Sequence, residues 1–258
     1  MKTWLVLFGK ELMEMRRNFK MLWVPIVFLL LGIMQPVTTY FLPEIIKASG
    51  DMPESFTFPT PTAADVMVKT LGNFGQVGLL ILALAVMSAL SGERASGMAA
   101  NLLVKPISRT SYILSKWAAA VVLAWSSFLL GMIGAWYYTV QLVSTISFAN
   151  VILGSLIYGL WITVVVTATL LMSGILRSGA AAAGVSLLFA IVLSVVSSSL
   201  PRFMKWSPSQ LTSHAYSFIN EGHVGAHVTL PLVTAILFIV VLLAGTVAVL
   251  RRKEPVAS

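Results

Sequence analysis

The chain has 258 residues, 58% of them hydrophobic and only 10% charged, with a formal net charge of +8 and a mean hydropathy of +0.91. Soluble domains carry roughly a quarter charged residues. A single core in a chain of this length could not hide so much apolar sequence and still present a wet surface, so the excess must face lipid. With no cysteine, the chain has no disulfide, zinc–thiolate site, thiol catalysis or iron–sulfur cluster.

The N-terminal 20 residues are charged and precede a long apolar run. Within them Leu5, Phe8, Leu12, Met15 and Phe19 recur at spacings of three and four, while Lys10, Glu14 and Arg17 line another face. This is the pattern of an amphipathic helix lying in the membrane interface; a basic flank that only orients the chain is the plainer alternative. The apolar run that follows is 22 residues long, whereas a cleaved signal peptide carries an apolar region of about 7–15. Six apolar windows follow in order, at 21–42, 71–90, 117–140, 148–175, 179–200 and 228–250. Each is near the roughly 20 residues that cross a hydrocarbon core as a helix. They are continuous rather than alternating, which argues against a membrane barrel.

The expected fold is an all-α integral membrane protein. It comprises an interfacial helix at 1–20, a six-helix transmembrane domain at 21–250 and a basic tail at 251–258. The segment 43–70, rich in Pro, Ser, Thr and acidic residues, reads as a turn-rich outer loop, and 201–227 as a second. The short turn around Arg177 makes spans four and five a tight antiparallel hairpin. On span five, Gly179/Ala183 and Ala180/Gly184 stand four apart. Small residues at that spacing let membrane helices approach closely, within one chain or between subunits.

Alternating sides along this topology puts 13 basic and 4 acidic residues with the termini, and 4 basic and 5 acidic on the opposite side. The positive-inside rule then places both termini and the loop 91–110 in the cytoplasm. The same bias accounts for the net charge without nucleic acid as a partner.

The loop 91–110 carries the most information. Glu93 to Val104 has the pattern of a short amphipathic helix, with Met98, Leu102 and Leu103 on one side. Pro106 stops it, and Ser108 stands where it can cap the next helix. Such an element suits docking on a partner; a linker that only sets topology is the alternative. The segment Glu93-Arg94, Gly97, Leu102-Leu103, Lys105-Pro106, Ser108-Arg109 and Lys116 resembles the ABC-2 type permeases of ATP-binding-cassette transporters. There a second span runs into Glu-Arg, then Gly with a short apolar helix, then Pro-x-Ser-Arg and a Lys opening the third. The stretch Phe8-Gly9-Lys10-Glu11-Leu12 with Arg16-Arg17 is similar to the connecting helix of that family. Ser96-Gly97-Met98 departs from it, since Thr often follows the Gly there.

The resemblance implies an ABC-2 permease architecture of the type V exporter kind, and an exporter subunit in the cytoplasmic membrane, moving an unspecified substrate. The subunit would pair as a homodimer or heterodimer and work with two copies of a separate ABC ATPase that binds ATP and Mg. It implies coupling to that ATPase through Glu93, Arg94, Gly97, Leu102, Leu103, Pro106 and Arg109, and an interfacial helix built on Lys10, Glu11, Arg16 and Arg17. A scaffold or sensor-complex subunit without transport is the alternative.

Several patterns are missing. Gly92/Gly97 and Gly174/Gly179 have the glycine spacing of a Walker A loop but lack its Lys-Ser/Thr, so the chain is not its own ATPase and no enzyme is expected. His214, His223 and His227 lie in one outer loop with Glu221 nearby; they read as solvated histidines, a metal site being the alternative. No ionisable residue stands at the centre of any span, unlike ion-coupled transporters. Gln35, Asn73, Gln76, Thr163, Thr167 and Thr169 do lie in spans, where they either bond to neighbouring helices or line a substrate path.

Overall fold

A computed structural model describes residues 2–49, 61–97, 108–225 and 227–253; among them every regular element is helical. Six helices are long and apolar enough to cross a membrane, at Lys20–Ile45, Ala63–Ala95, Arg109–Leu142, Phe148–Ile175, Gly179–Ser199 and Thr229–Arg252. Spans four to six fall within one or two residues of the sequence expectation; span two begins at Ala63 rather than 71.

α1 (Lys2–Arg17) ends in a turn at Asn18 and Phe19, where Phe19 takes a positive φ of 56°, and the chain enters α2 (Lys20–Ser49). α2 continues through Pro25, Pro36 and Pro43, so helix covers the first residues of the expected outer loop 43–70. A membrane helix tolerates prolines because neighbours satisfy the freed backbone groups. The other end of that loop is helical as well. α3 (Ala63–Asn73) starts from a capping box in which the Thr62 hydroxyl accepts from the Asp65 N–H and the Asp65 carboxylate accepts from the Thr62 N–H. The polar start of α3 hid it from a search for apolar windows. Residues 50–60 of the expected loop lie outside the described residues.

Span two is assembled from α3, a π-helical turn (Phe74–Gly78), α4 (Leu79–Val86) and α5 (Ser91–Ala95). α6 (Arg109–Leu142) opens on Ser108, whose hydroxyl accepts from the Ser111 N–H at 3.2 Å, the cap expected from sequence. α7 (Phe148–Ile175) and α8 (Gly179–Ser199) form the expected hairpin around Arg177, with α8 capped by Ser178. The connection 201–227, expected as an outer loop, is not all loop: a 3₁₀ turn (Pro208–Gln210) leads into α9 (Leu211–Glu221). α9 buries Leu211, Ala215 and Ile219 and ends at Gly222 with φ 74°. α10 (Thr229–Lys253) completes the bundle.

α7 is the central helix. Its apolar window is 72% buried, against 22% for α2 and α8 and 11% for α10; the latter three leave Val, Leu and Ile facing outward, as lipid contact requires. Phe28 of α2, Phe74 of the π turn, Phe128 of α6 and Tyr158 of α7 make a buried aromatic chain with successive ring centroids 5.2, 5.6 and 5.4 Å apart. Polar side chains in the spans mostly bond to neighbours. Trp117 and Trp125 of α6 donate to Thr167 and Thr163, each at 2.9 Å. Thr169 donates to Ser186 at 3.0 Å and Asn73 to Gln35 at 2.9 Å. Gln76 stays exposed. Of the two small-residue pairs on α8, Gly179 and Ala183 face inward, Gly179 toward Met87, whereas Ala180 and Gly184 face outward. Backbones approach closely elsewhere, where Gly32 of α2 meets Gly131 of α6.

Candidate functional site

The face that bears the termini gathers α1, α5, and the ends of α6, α7 and α10. Lys10, Glu11 and Glu14 share one side of α1, Glu93 comes from α5, and Tyr112 and Lys116 stand one turn apart on α6. Lys10 Nζ donates to Glu93 Oε1 at 2.6 Å, and Lys116 Nζ lies 2.8 Å from the same oxygen. The other Glu93 oxygen accepts from the Tyr112 hydroxyl. Lys116 also reaches both oxygens of Glu11, at 3.0 and 2.9 Å, and Lys10 pairs with Glu14 at 3.1 Å. Glu11, Glu93 and Lys116 are 5%, 3% and 3% exposed, so the network is buried.

On α1 Glu11 is buried, while Lys10 and Glu14 keep side-chain exposures of 34% and 38% at the edge of the network, Lys10 reaching across to Glu93 of α5. The surface left open carries Leu5, Val6 and Met13, with Arg16 and Arg17 exposed in the last turn. Cations there complement the helix dipole.

Burial works against the Lys10 charge, but the Glu93 and Glu11 carboxylates outweigh it and hold its pKa above the ordinary 10.5. A raised lysine pKa stabilises the fold fully below the ordinary value and ceases to do so as pH rises through the elevated one. Lys10 therefore stays charged across the physiological range.

Glu11, Glu14 and Glu93 bring carboxylate oxygens within 4.8 Å of one another, a density that could hold a cation. Two lysine ammoniums already sit among them and supply the compensating charge. Lys20 extends the system: it donates to the Ala85 carbonyl at 2.7 Å. With Glu11, Glu14, Asn18 and Lys116 it borders a cavity of about 30 Å³, room for one or two waters. The histidines of the outer connection do not converge in this way; His223 lies 3.5 Å from Glu221, exposed.

Arg94 points the opposite way from Glu93. Its guanidinium donates to the carbonyls of Ser173 at 2.7 Å and Leu176 at 3.0 Å, serving acceptors at the end of α7 that have no partner within the helix. The Ser173 hydroxyl in turn accepts from the N–H groups of Leu90 and Ser91, both at 3.1 Å. Arg109 donates to the Arg251 carbonyl at 3.0 Å, tying the start of α6 to the end of α10. Arg94→Ala is expected to lower stability by about 1.5–3 kcal/mol, since charged hydrogen bonds are lost and the carbonyls are stranded. Arg94→Lys should recover part of it. Thermal unfolding in detergent with amide hydrogen exchange around 173–177 checks this, and unchanged exchange in the Ala variant would contradict it.

Of the residues expected to couple to a partner, Glu93, Arg94 and Arg109 are therefore engaged inside the protein. Gly97 follows α5 with φ 72°, a left-handed conformation that favours glycine; of the expected helix over Glu93–Val104, the part up to Ala95 is helical and 98–104 lie outside the described residues. Leu102, Leu103 and Pro106 lie outside the described residues. Sequence reasoning missed Tyr112 and Ser173. The four-residue spacing of Tyr112 and Lys116 was a usable signal for the first; a lone serine in an apolar span offers none for the second.

A family model described as ABC-2 family transporter protein matches residues 5–249. The uncharacterized transmembrane protein YxlG of Bacillus subtilis (strain 168) is 33% identical over 258 residues, spanning 98% of this chain and 99% of its own.

Proposed function

The chain belongs to the ABC-2 family of transporter proteins, and on that premise we propose that it is the permease subunit of an ATP-driven exporter in the cytoplasmic membrane, with both termini in the cytoplasm. A separate ABC ATPase, in two copies, supplies the energy and binds ATP and Mg; two permease chains, identical or different, form the path. The reading is supported above all by the buried network that joins α1, α5 and α6. A push on the segment beyond Gly97 or on the open face of α1 would be carried into span three and, through Arg94, into span four. The ATPase need only favour one of two permease conformations by a few kcal/mol. In this mechanism Glu93 and Arg94 are positioning residues, holding the docking segment rather than touching the partner.

Co-purification with a soluble ATPase carrying Walker motifs tests the proposal, with Glu93→Ala and Arg94→Ala beside the parent. A stable complex is expected, with assembly or nucleotide hydrolysis reduced in both variants. If no ATPase binds the parent chain, the exporter reading falls and a scaffold or sensor-complex subunit is what remains.

A further inference from the structure

On the face opposite the termini, the chain between the end of α8 at Ser199 and the 3₁₀ turn makes a short exposed wedge, Pro201 to Trp206. Phe203 is 78% exposed and Trp206 39%; Arg202 and Lys205 are exposed as well. The wedge is not loosely held. The Ser197 hydroxyl donates to Ser207 at 2.7 Å, Ser207 and Ser209 are 3.0 Å apart, and Gln210 donates to the Ser197 carbonyl at 2.8 Å. The Thr234 hydroxyl of α10 donates to the Trp206 carbonyl, and the N–H groups of Phe203 and Met204 bond back to Leu200 at 3.1 and 3.0 Å. A pinned backbone thus holds a phenylalanine ring outward, which is unfavourable in water unless something apolar covers it.

Its level in the fold says what does. The wedge directly follows the end of span five and is tied by Thr234 to the start of span six, so it stands at the boundary between hydrocarbon and water, where aromatic rings settle. Its charge says which lipid. This side of the protein has only 4 basic residues, yet two of them flank Phe203 here, and neither has an acidic partner among the described residues. We propose that the wedge Arg202–Trp206 is a binding site for an anionic phospholipid of the adjoining leaflet, with Phe203 and Trp206 inserted beside its acyl chains and Arg202 and Lys205 on its phosphate. The site anchors the outer ends of spans five and six, and it does not depend on what the protein transports.

The full chain is reconstituted in nanodiscs of phosphatidylcholine with phosphatidylglycerol, and retained lipid is read by native mass spectrometry. The parent is expected to retain phosphatidylglycerol in preference to phosphatidylcholine. Each basic residue near a membrane surface is worth about five-fold in affinity, so R202Q/K205Q should weaken retention at this site about twenty-five-fold. R202K/K205R should preserve it, and F203S should reduce retention of both lipids. Equal retention by the parent and R202Q/K205Q, or no preference between the two lipids, would overturn the proposal. So would displacement of the lipid by millimolar inorganic phosphate, which would make this a site for free phosphate.

Discussion

Glu93→Ala is expected to destabilise the folded protein by roughly 3–5 kcal/mol, the cost of leaving buried charges without their counter-ion. Glu93 is where the network converges: two ammoniums share one of its oxygens and the Tyr112 hydroxyl takes the other. Removing it takes one of two carboxylates from Lys116, which is 3% exposed and is left with Glu11 alone. Lys116→Ala should cost about as much, because the buried Glu11 and Glu93 then share only the half-exposed Lys10. The double variant Glu93→Ala/Lys116→Ala should fall short of the sum by 0.5–3 kcal/mol, the usual coupling of contacting residues. Thermal unfolding of the four proteins in one detergent measures this cycle. Strict additivity would show that the two side chains act separately, and the joint between α1, α5 and α6 would lose its energetic basis.

A second large effect is expected where α2 crosses α6. A Cβ on Gly131 would stand 2.6 Å from the Phe28 carbonyl oxygen and 2.8 Å from the Phe74 ring; one on Gly32 would stand 2.2 Å from the Gly131 carbonyl oxygen. Backbone cannot swing aside as a flexible side chain can. Gly131→Ala and Gly32→Ala should therefore force the helices apart and cost about 1–3 kcal/mol each or more, as overpacking does. Separation would also loosen the stacked Phe28 and Phe74 rings. Gly184→Ala is the control: nothing lies within 4 Å of the added atom, so it should stay within about 0.5 kcal/mol of the parent. Thermal unfolding and the yield of monodisperse protein compare the three. Equal tolerance of alanine at Gly131 and Gly184 would mean that this helix crossing does not hold the bundle together.

The spans were legible in the sequence because crossing a membrane is a one-dimensional demand: about 20 apolar residues, with charge asymmetry at the ends, whatever the partners. Caps are equally local, so Ser108 could be named before any fold was known. The extent of span two was not legible, because Asp65 and Lys69 lie within the helix and a hydropathy window stops where polar residues begin. α9 escaped because a short helix shielded on one face by α7 needs no long apolar run.

The site divides in the same way. Residue types alone, with their resemblance to a family pattern, identified Lys10, Glu11, Glu93, Arg94, Arg109 and Lys116 as worth attention. Which way each points was settled only by packing. The partners of Lys10 and Glu11 come from α5 and α6, more than 70 residues away in the chain. By itself the sequence determined the class of the protein, the number of its spans and the ends of spans four to six, because lipid and local hydrogen bonding act on short stretches. The tertiary structure alone decided that Glu93 is an internal tie, that Gly32 and Gly131 meet, and that Phe203 is held outward. Each of those depends on contacts between segments distant in the chain, which no local pattern encodes.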